Sequence, residues 1–112
     1  MIEHCEFGLI RIDGGEYRQD ILIIENNVKE WHGPEGHNVY PKDMGDLIKD
    51  KPQIIIIGTG FNGLMQVPEK TIKFILNKGI ELSTAATPEA AEKFNQSLKE
   101  NLRVAAGFYI TC

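Results

Sequence analysis

The run Ile54-Ile55-Ile56-Ile57-Gly58-Thr59-Gly60-Phe61-Asn62-Gly63 decides how this chain folds. Four β-branched residues in succession, ended by glycine, read as a strand buried on both faces, which requires a sheet covered on each side. The three glycines spell G-x-G-x-x-G, the wording of a dinucleotide-binding turn. Glu81, eighteen residues beyond Gly63, lies near the spacing of that motif's ribose-binding acid. The surrounding residues argue the other way. A dinucleotide turn starts its helix inside the glycine loop, so that backbone N–H groups and the helix dipole meet the pyrophosphate. Here Leu64, Met65, Gln66 and Val67 intervene before Pro68, which has no N–H, and Glu69 adds negative charge to the first turn. Glu81 also opens its strand, whereas the ribose acid closes one. The favoured reading is that Gly58 and Gly60 turn the chain tightly off a central strand and Asn62-Gly63 forms a turn pair. No cofactor is expected.

Downstream, strands and helices alternate. A strand over 53–58 leads through the glycine loop to a helix over 68–78, opened by Pro68 and closed by Gly79. Ile72, Ile75 and Leu76 recur at helical spacing and predict its core face. A strand over 80–83 follows. Thr87 is expected to cap the last helix, with Pro88 pre-set in φ and Ala90, Ala91, Phe94 and Leu98 as the apolar stripe. Arg103 to Thr111 is the closing strand.

Upstream the pattern is different. Residues 5–12 and 16–18 read as a hairpin turning at Asp13-Gly14. Asp20 to Ile24 is a third strand, and its continuous apolar run predicts burial on both faces. Val28 to Trp31 extends this first sheet. Residues 32–42 form an irregular loop rich in glycine and proline, and Asp43 caps a short helix reaching about Asp50 with Leu47 and Ile48 inward. The fold expected is an α/β, three-layer single domain. It has a mixed central sheet, an N-terminal hairpin or extra β-layer, and two C-terminal β-α units.

Composition narrows the function. A chain of 112 residues is one domain, able to bury roughly 65% of its unfolded surface without metal or disulfide support. A formal net charge of −4, with lysines scattered among acids, argues against nucleic-acid binding. The longest apolar run is far too short to span a membrane, and the N-terminus lacks the pattern of a signal peptide. A cytoplasmic protein is expected, with no membrane partner. Cys5 and Cys112 could pair if the first and last strands are neighbours, but a reducing compartment disfavours this. His4, Cys5, His32, His37 and Cys112 lack the spacings that pre-form a metal site.

The hydroxyls include no G-x-S-x-G elbow. Ser83, Thr84 and Thr87 fit turn and cap hydrogen bonds. His37, framed by glycine and proline, is the best lone candidate for a general base, although an exposed or locally hydrogen-bonded histidine is the favoured reading. Asn95, unusual inside a helix beside core-facing Phe94, is expected to satisfy backbone groups of a neighbouring loop. Arg103 could hold a carboxylate, a helix end or an anion. Ligands in open α/β sheets gather where strand carboxyl ends diverge, so a small pocket is expected there. Trp31 and Tyr40 flank the irregular loop and read as either an interface or core.

Together these residues resemble a known pattern. It comprises Asp20 to Ile24, Trp31, His37, Ile57-Gly58-Thr59-Gly60, Val67-Pro68 and Gly79-Ile80. Its most specific part is Thr87-Pro-Glu-Ala90-Ala-Glu-Lys-Phe94-Asn95, with Arg103-Val104 and the ending Phe108 to Cys112. The chain resembles the small single-domain family that includes the adipogenesis-associated domain protein and a mitochondrial complex I assembly factor. The resemblance implies a three-layer α/β domain without established enzymatic activity, acting in assembly or regulation through protein partners or by self-association. The family pattern falls on Gly58, Gly60, Thr87, Asn95 and Arg103, and not on Gly63. Phe94 stands where tyrosine is usual. The expected pocket therefore comprises Gly58, Thr59, Gly60, Asn62, Thr87, Asn95 and Arg103, with a small ligand or anion as the alternative to a protein partner.

Overall fold

A computed structural model of the protein describes residues 1–32, 36–49 and 51–111. Its centre is β6 (Ile54–Thr59), every residue of which is buried. It pairs in parallel with β7 (Glu81–Ala85) on one side and β8 (Val104–Tyr109) on the other. β4 (Ile21–Ile24) runs antiparallel to β8, and β5 (Asn27–Glu30) antiparallel to β4. The five-stranded sheet thus has the order β5-β4-β8-β6-β7.

Helix α2 (Glu69–Leu76) connects β6 outward to β7, and α3 (Thr87–Lys99) carries the chain back past β6 to β8. Right-handed crossovers in opposite directions put two helices on opposite faces. The period-2 alternation of the strands then divides the apolar residues into two cores. Ile54, Ile56, Ala106, Phe108, Ile21 and Ile23 face α3 and its Ala90, Ala91 and Phe94. Ile55, Ile57, Ala105, Tyr109 and Leu22 face the other layer, which holds Ile75 of α2 and Leu47 of α1 (Gly45–Ile48). Beside α3 a separate antiparallel sheet, β1 (Ile2–Glu6), β2 (Leu9–Ile12) and β3 (Gly15–Tyr17), contributes Ile2, Ile10 and Ile12 to the first core.

Several expected details change. The predicted hairpin is a three-stranded meander, because the chain turns at Phe7-Gly8 as well as at Asp13-Gly14. Gly8 takes a positive φ of 81° there. β4 and β5 belong to the central sheet and not to this first one. A strand buried on both faces cannot lie in the small sheet, which covers only one core. Asp43 does not cap α1. It lies in a single 3₁₀ turn over Pro41–Met44, where its carboxylate accepts the Tyr40 N–H at 2.8 Å. In α2, Pro68 is the capping position rather than the first helical residue, and Leu76 is 52% exposed while Ile75 is fully buried. An eight-residue helix has a narrow apolar stripe, and Leu76 falls outside it. Helix α3 is capped by Ala86, not Thr87, whose hydroxyl is engaged elsewhere.

Candidate functional site

The glycine loop leaves β6 at the switch point of the sheet, where adjacent crossovers depart to opposite faces. Gly60 takes a φ of +97°, which only glycine adopts freely, and its carbonyl accepts the Gly63 N–H to close the turn. Asn62 is exposed at the turn's tip, consistent with the turn-pair reading. α2 starts only at Glu69, so its N-terminus lies outside the loop. Among the loop amides, those of Gly60, Phe61 and Gly63 are engaged within the chain. Gly60 donates to Thr87 Oγ1 at 2.9 Å and Phe61 donates to the Thr111 carbonyl at 3.0 Å.

Thr87 organises this edge. Fully buried at the start of α3, its hydroxyl accepts the Gly60 N–H and donates to the Tyr109 carbonyl, while its own N–H reaches the Gly60 carbonyl. Thr59 donates its hydroxyl to the Ala85 carbonyl at 3.0 Å. The ends of β6, β7 and β8 are therefore laced together across the crevice where a pocket is expected. Gly58 belongs to the same arrangement. A Cβ there would stand 2.7 Å from Phe108 Cδ1 and 3.0 Å from Thr87 Oγ1, so glycine is what lets α3 approach β6.

Asn95 and Arg103 do not converge on this edge. Asn95 lies along α3 and grips Ile2 of β1 twice, accepting its N–H and donating to its carbonyl, each at 2.8 Å. It thereby docks the small sheet onto the helix, pairing with a strand where a loop was expected. Arg103 precedes β8, and in a parallel pair that is the amino edge of the sheet, opposite Gly60. Its N–H donates to Gln53 Oε1, and its carbonyl accepts the N–H of Gln53 and of Ile54. Beside it a groove of about 420 Å³ is lined by Ile23, Asn26, Phe94, Leu98, Leu102 and Arg103. The two β-α units read from the sequence already imply parallel strands, so Arg103, which opens the last of them, belongs at the amino edge, and grouping it with Gly60 overlooks that direction.

His37 is exposed, and its carbonyl accepts the Gln66 N–H, tying the irregular loop to the glycine loop's far end. Cys5 is half-buried, and burial pushes its thiol pKa up, while Cys112 lies outside the described residues. Trp31 is core. Its ring lies over Gly107 and packs on Tyr109 with centroids 4.7 Å apart. Tyr40 is half-buried beneath the Lys70 ammonium.

Two features of this edge escaped the sequence. Asp20, half-buried beside the end of β8, accepts the Ile110 N–H at 2.9 Å, and its own carbonyl accepts the Trp31 N–H. Burial pushes its carboxyl pKa above the ordinary aspartate value, and the Ile110 hydrogen bond opposes this less strongly. The folded state thus holds the proton more tightly than the unfolded one, and stability from this group falls as pH rises through the folded pKa. Asp20→Asn is expected to raise Tm at neutral pH, with a gain that shrinks on acidification and vanishes below about pH 4. Melting curves across the carboxyl range check this, and a gain independent of pH would contradict it.

The second is a set of outward apolar side chains on two neighbouring loops, the crest of this edge. Phe7 at the β1–β2 turn is 64% exposed and Leu64 in the glycine loop is 53% exposed. The Phe7 ring stands edge-on to Phe61 at 6.1 Å between centroids. Both loops are held on the end of β8, because Gly8 N–H donates to the Ile110 carbonyl and Phe61 N–H to that of Thr111. The readable signal was a large apolar residue set beside a turn glycine.

Among the described residues no helix is long and apolar enough to cross a membrane, and no three His, Cys, Asp or Glu side chains gather as a metal-holding group. A family model described as "Protein of unknown function (DUF498/DUF598)" matches residues 2–109. The chain is similar to the crystal structure of a conserved hypothetical protein, PH1505, from Pyrococcus horikoshii OT3. Identity is 24%, the TM-score is 0.88, and coverage is 100% of this chain and 99% of that one. It is similar to the solved structure named MT938, with 26% identity, a TM-score of 0.85, and coverage of 100% and 98%. A third likeness is to the solution NMR structure of a Bordetella pertussis protein described as a Mth938-like domain. Here identity is 16% and the TM-score 0.69, over 97% of this chain and 84% of that one.

Proposed function

The chain belongs to the DUF498/DUF598 family of proteins of unknown function, and from that premise we propose that it is a cytoplasmic, non-enzymatic assembly or regulatory domain that works by holding a protein partner on the Phe7–Phe61–Leu64 crest. The observation that carries this reading is the exposure of Phe7 and Leu64 on two loops fixed to one strand end. Large apolar side chains held outward on a rigid support are the usual anchors of an interface core. A loop already ordered loses little entropy on docking, so even a small anchor can be effective. The polar groups of the same edge support the reading from the other side. The hydroxyls of Thr59 and Thr87 are committed to backbone carbonyls, which suits them to bracing the crest rather than to chemistry. This role is of the kind that the resemblance to the adipogenesis-associated protein and the complex I assembly factor implies.

The test is affinity capture with two baits, wild type and the double variant Phe7→Ser/Leu64→Ser. Both sites are exposed, so the variant is expected to melt within a few degrees of wild type. A partner retained by wild type and reduced at least about tenfold with the variant, a loss of ~1.4 kcal/mol, supports the crest. Identical retention by both baits overturns it.

A further inference from the structure

We propose that β7 is a docking edge for a second copy of this chain, which pairs with it antiparallel about a two-fold axis and continues the five-stranded sheet across the dimer. This surface is separate from the crest, and either can hold without the other.

The argument starts from the four edges of the two sheets. Exposed edges invite pairing with other strands, and proteins guard them with charge, lysine, bulges or brevity. β5 carries Lys29 and Glu30, with Lys29 paired to Asp46 of α1 at 3.1 Å. β1 has a register irregularity between Ile2 and His4 and carries Glu3, His4 and Glu6. β3 is only three residues long, and its Glu16 is paired to Arg11. β7 is the least protected of the four. It reads Glu81-Leu82-Ser83-Thr84-Ala85, with its single charge at the first position and neither lysine nor proline.

Its backbone is set for pairing. Glu81 donates its N–H to Gln53 at the β6 side, and the Ala85 carbonyl accepts the Thr59 hydroxyl from β6. Residues 81, 83 and 85 therefore turn their backbone groups inward, and strand alternation turns those of Leu82 and Thr84 outward. Among the described residues β6 is the one strand paired with β7, so these outward groups lie on an open edge.

The strand is also complementary to itself. The antiparallel register that overlaps its whole length centres on Ser83. It sets Leu82 of one copy against Thr84 of the other as hydrogen-bonded pairs, matching the outward groups. It sets Glu81 against Ala85, so the one charge never meets its own copy, a juxtaposition that would be destabilising. A two-fold perpendicular to the sheet brings the α2 helices together on one face and the α3 helices together on the other. α2 packs on β7 and ends at Leu76, which is 52% exposed in the single chain, and Leu82 of β7 is half-buried. A closed isologous contact of this kind is the commonest form of association between identical chains.

The test joins sedimentation with a register-specific cross-link. Sedimentation velocity of the full chain over a wide concentration range is expected to show a dimer. Thr84→Pro removes one outward N–H and leaves the β6 pairing untouched, because proline is tolerated on an edge strand with its missing donor outward. It is expected to shift the species to monomer while circular dichroism stays unchanged. Independently, Ser83→Cys in a Cys5→Ser/Cys112→Ser background places two thiols at a non-hydrogen-bonded pair with Cα atoms about 4.5 Å apart, within disulfide range. It is expected to oxidise to a covalent dimer, and Glu81→Cys in the same background is not. A wild-type chain that stays monomeric overturns the proposal. So does a dimer that survives Thr84→Pro and leaves Ser83→Cys unlinked, or one lost with Phe7→Ser/Leu64→Ser, which would place the contact at the crest.

Discussion

Thr87→Val should destabilise the protein by roughly 2–4 kcal/mol, because it leaves the buried Gly60 N–H without its acceptor, at about 1–3 kcal/mol, and removes one hydrogen bond to the Tyr109 carbonyl, at about 1 kcal/mol. Valine keeps the branched shape and loses the hydroxyl. The Gly60 N–H then loses the Thr87 acceptor and the Tyr109 carbonyl loses the Thr87 donor, at a position where Thr87 itself has no solvent access. For a domain of this length the loss corresponds to a Tm drop on the order of 10 °C or more. Thr87→Ser is the control that separates hydrogen bonding from packing. It retains the hydroxyl and removes one methyl, so about 1 kcal/mol is expected. Chemical denaturation of the three proteins measures both. If serine and valine were equally damaging, the hydroxyl would not be the cause.

Gly107→Ala is the second large effect, on the opposite face of β8. An added Cβ would lie 2.5 Å from Cζ3 of Trp31 and 2.9 Å from its Cη2. The indole cannot simply withdraw, because it packs against Tyr109 and points its Nε1–H to the Asp43 carbonyl at 3.4 Å. Overpacking of this kind typically costs about 1–3 kcal/mol and occasionally more, and a rigid bicyclic ring belongs at the upper end. Trp31 is the sole tryptophan of the chain, so its fluorescence reports the event directly. A red-shifted emission together with a lower midpoint is expected. Unchanged emission and stability would mean that the ring has room the packing does not reveal.

The sequence displayed the importance of Thr87 only in part and that of Gly107 not at all. Gly58 and Thr87 stood out, the first within a glycine motif and the second ahead of a proline at a helix start. Their reasons were misread or left general. Thr87 looked like a cap because local pattern offers only local partners. Its real partners are Gly60, 27 residues earlier, and Tyr109, 22 residues later. Gly107 drew no notice, since nothing in Ala106-Gly107-Phe108 announces that Trp31 lies across it. Asn95 was recognised as out of place in a helix, and its amide does satisfy backbone groups. That the backbone belongs to Ile2 follows only from where the small sheet docks.

The candidate residues divide along the same line. Gly58, Thr59, Gly60, Asn62 and Thr87 are brought to the carboxyl edge, and the first four follow from their place in one continuous stretch. Arg103 lies at the other edge because β8 runs parallel to β6, as two successive β-α units require, and a residue that opens such a strand cannot reach the edge where β6 ends. Phe7 and Leu64 are a further case. An exposed phenylalanine and a core phenylalanine read alike until the surrounding chain is placed.

What residues 54–63 and their neighbours settle alone is local. The isoleucine run demands a strand covered on both faces, Gly60 demands a turn with positive φ, and the spacing of Ala90, Ala91 and Phe94 demands a helix with one buried side. These follow from backbone sterics and from the periods of helix and strand, which act over a few residues. Tertiary structure decided which sheet β4 and β5 join, which edge each polar residue reaches, and which glycines are spacers rather than hinges. The reason is that hydrogen bonds and close packing join groups far apart in the chain, and their geometry exists only once all the layers are assembled.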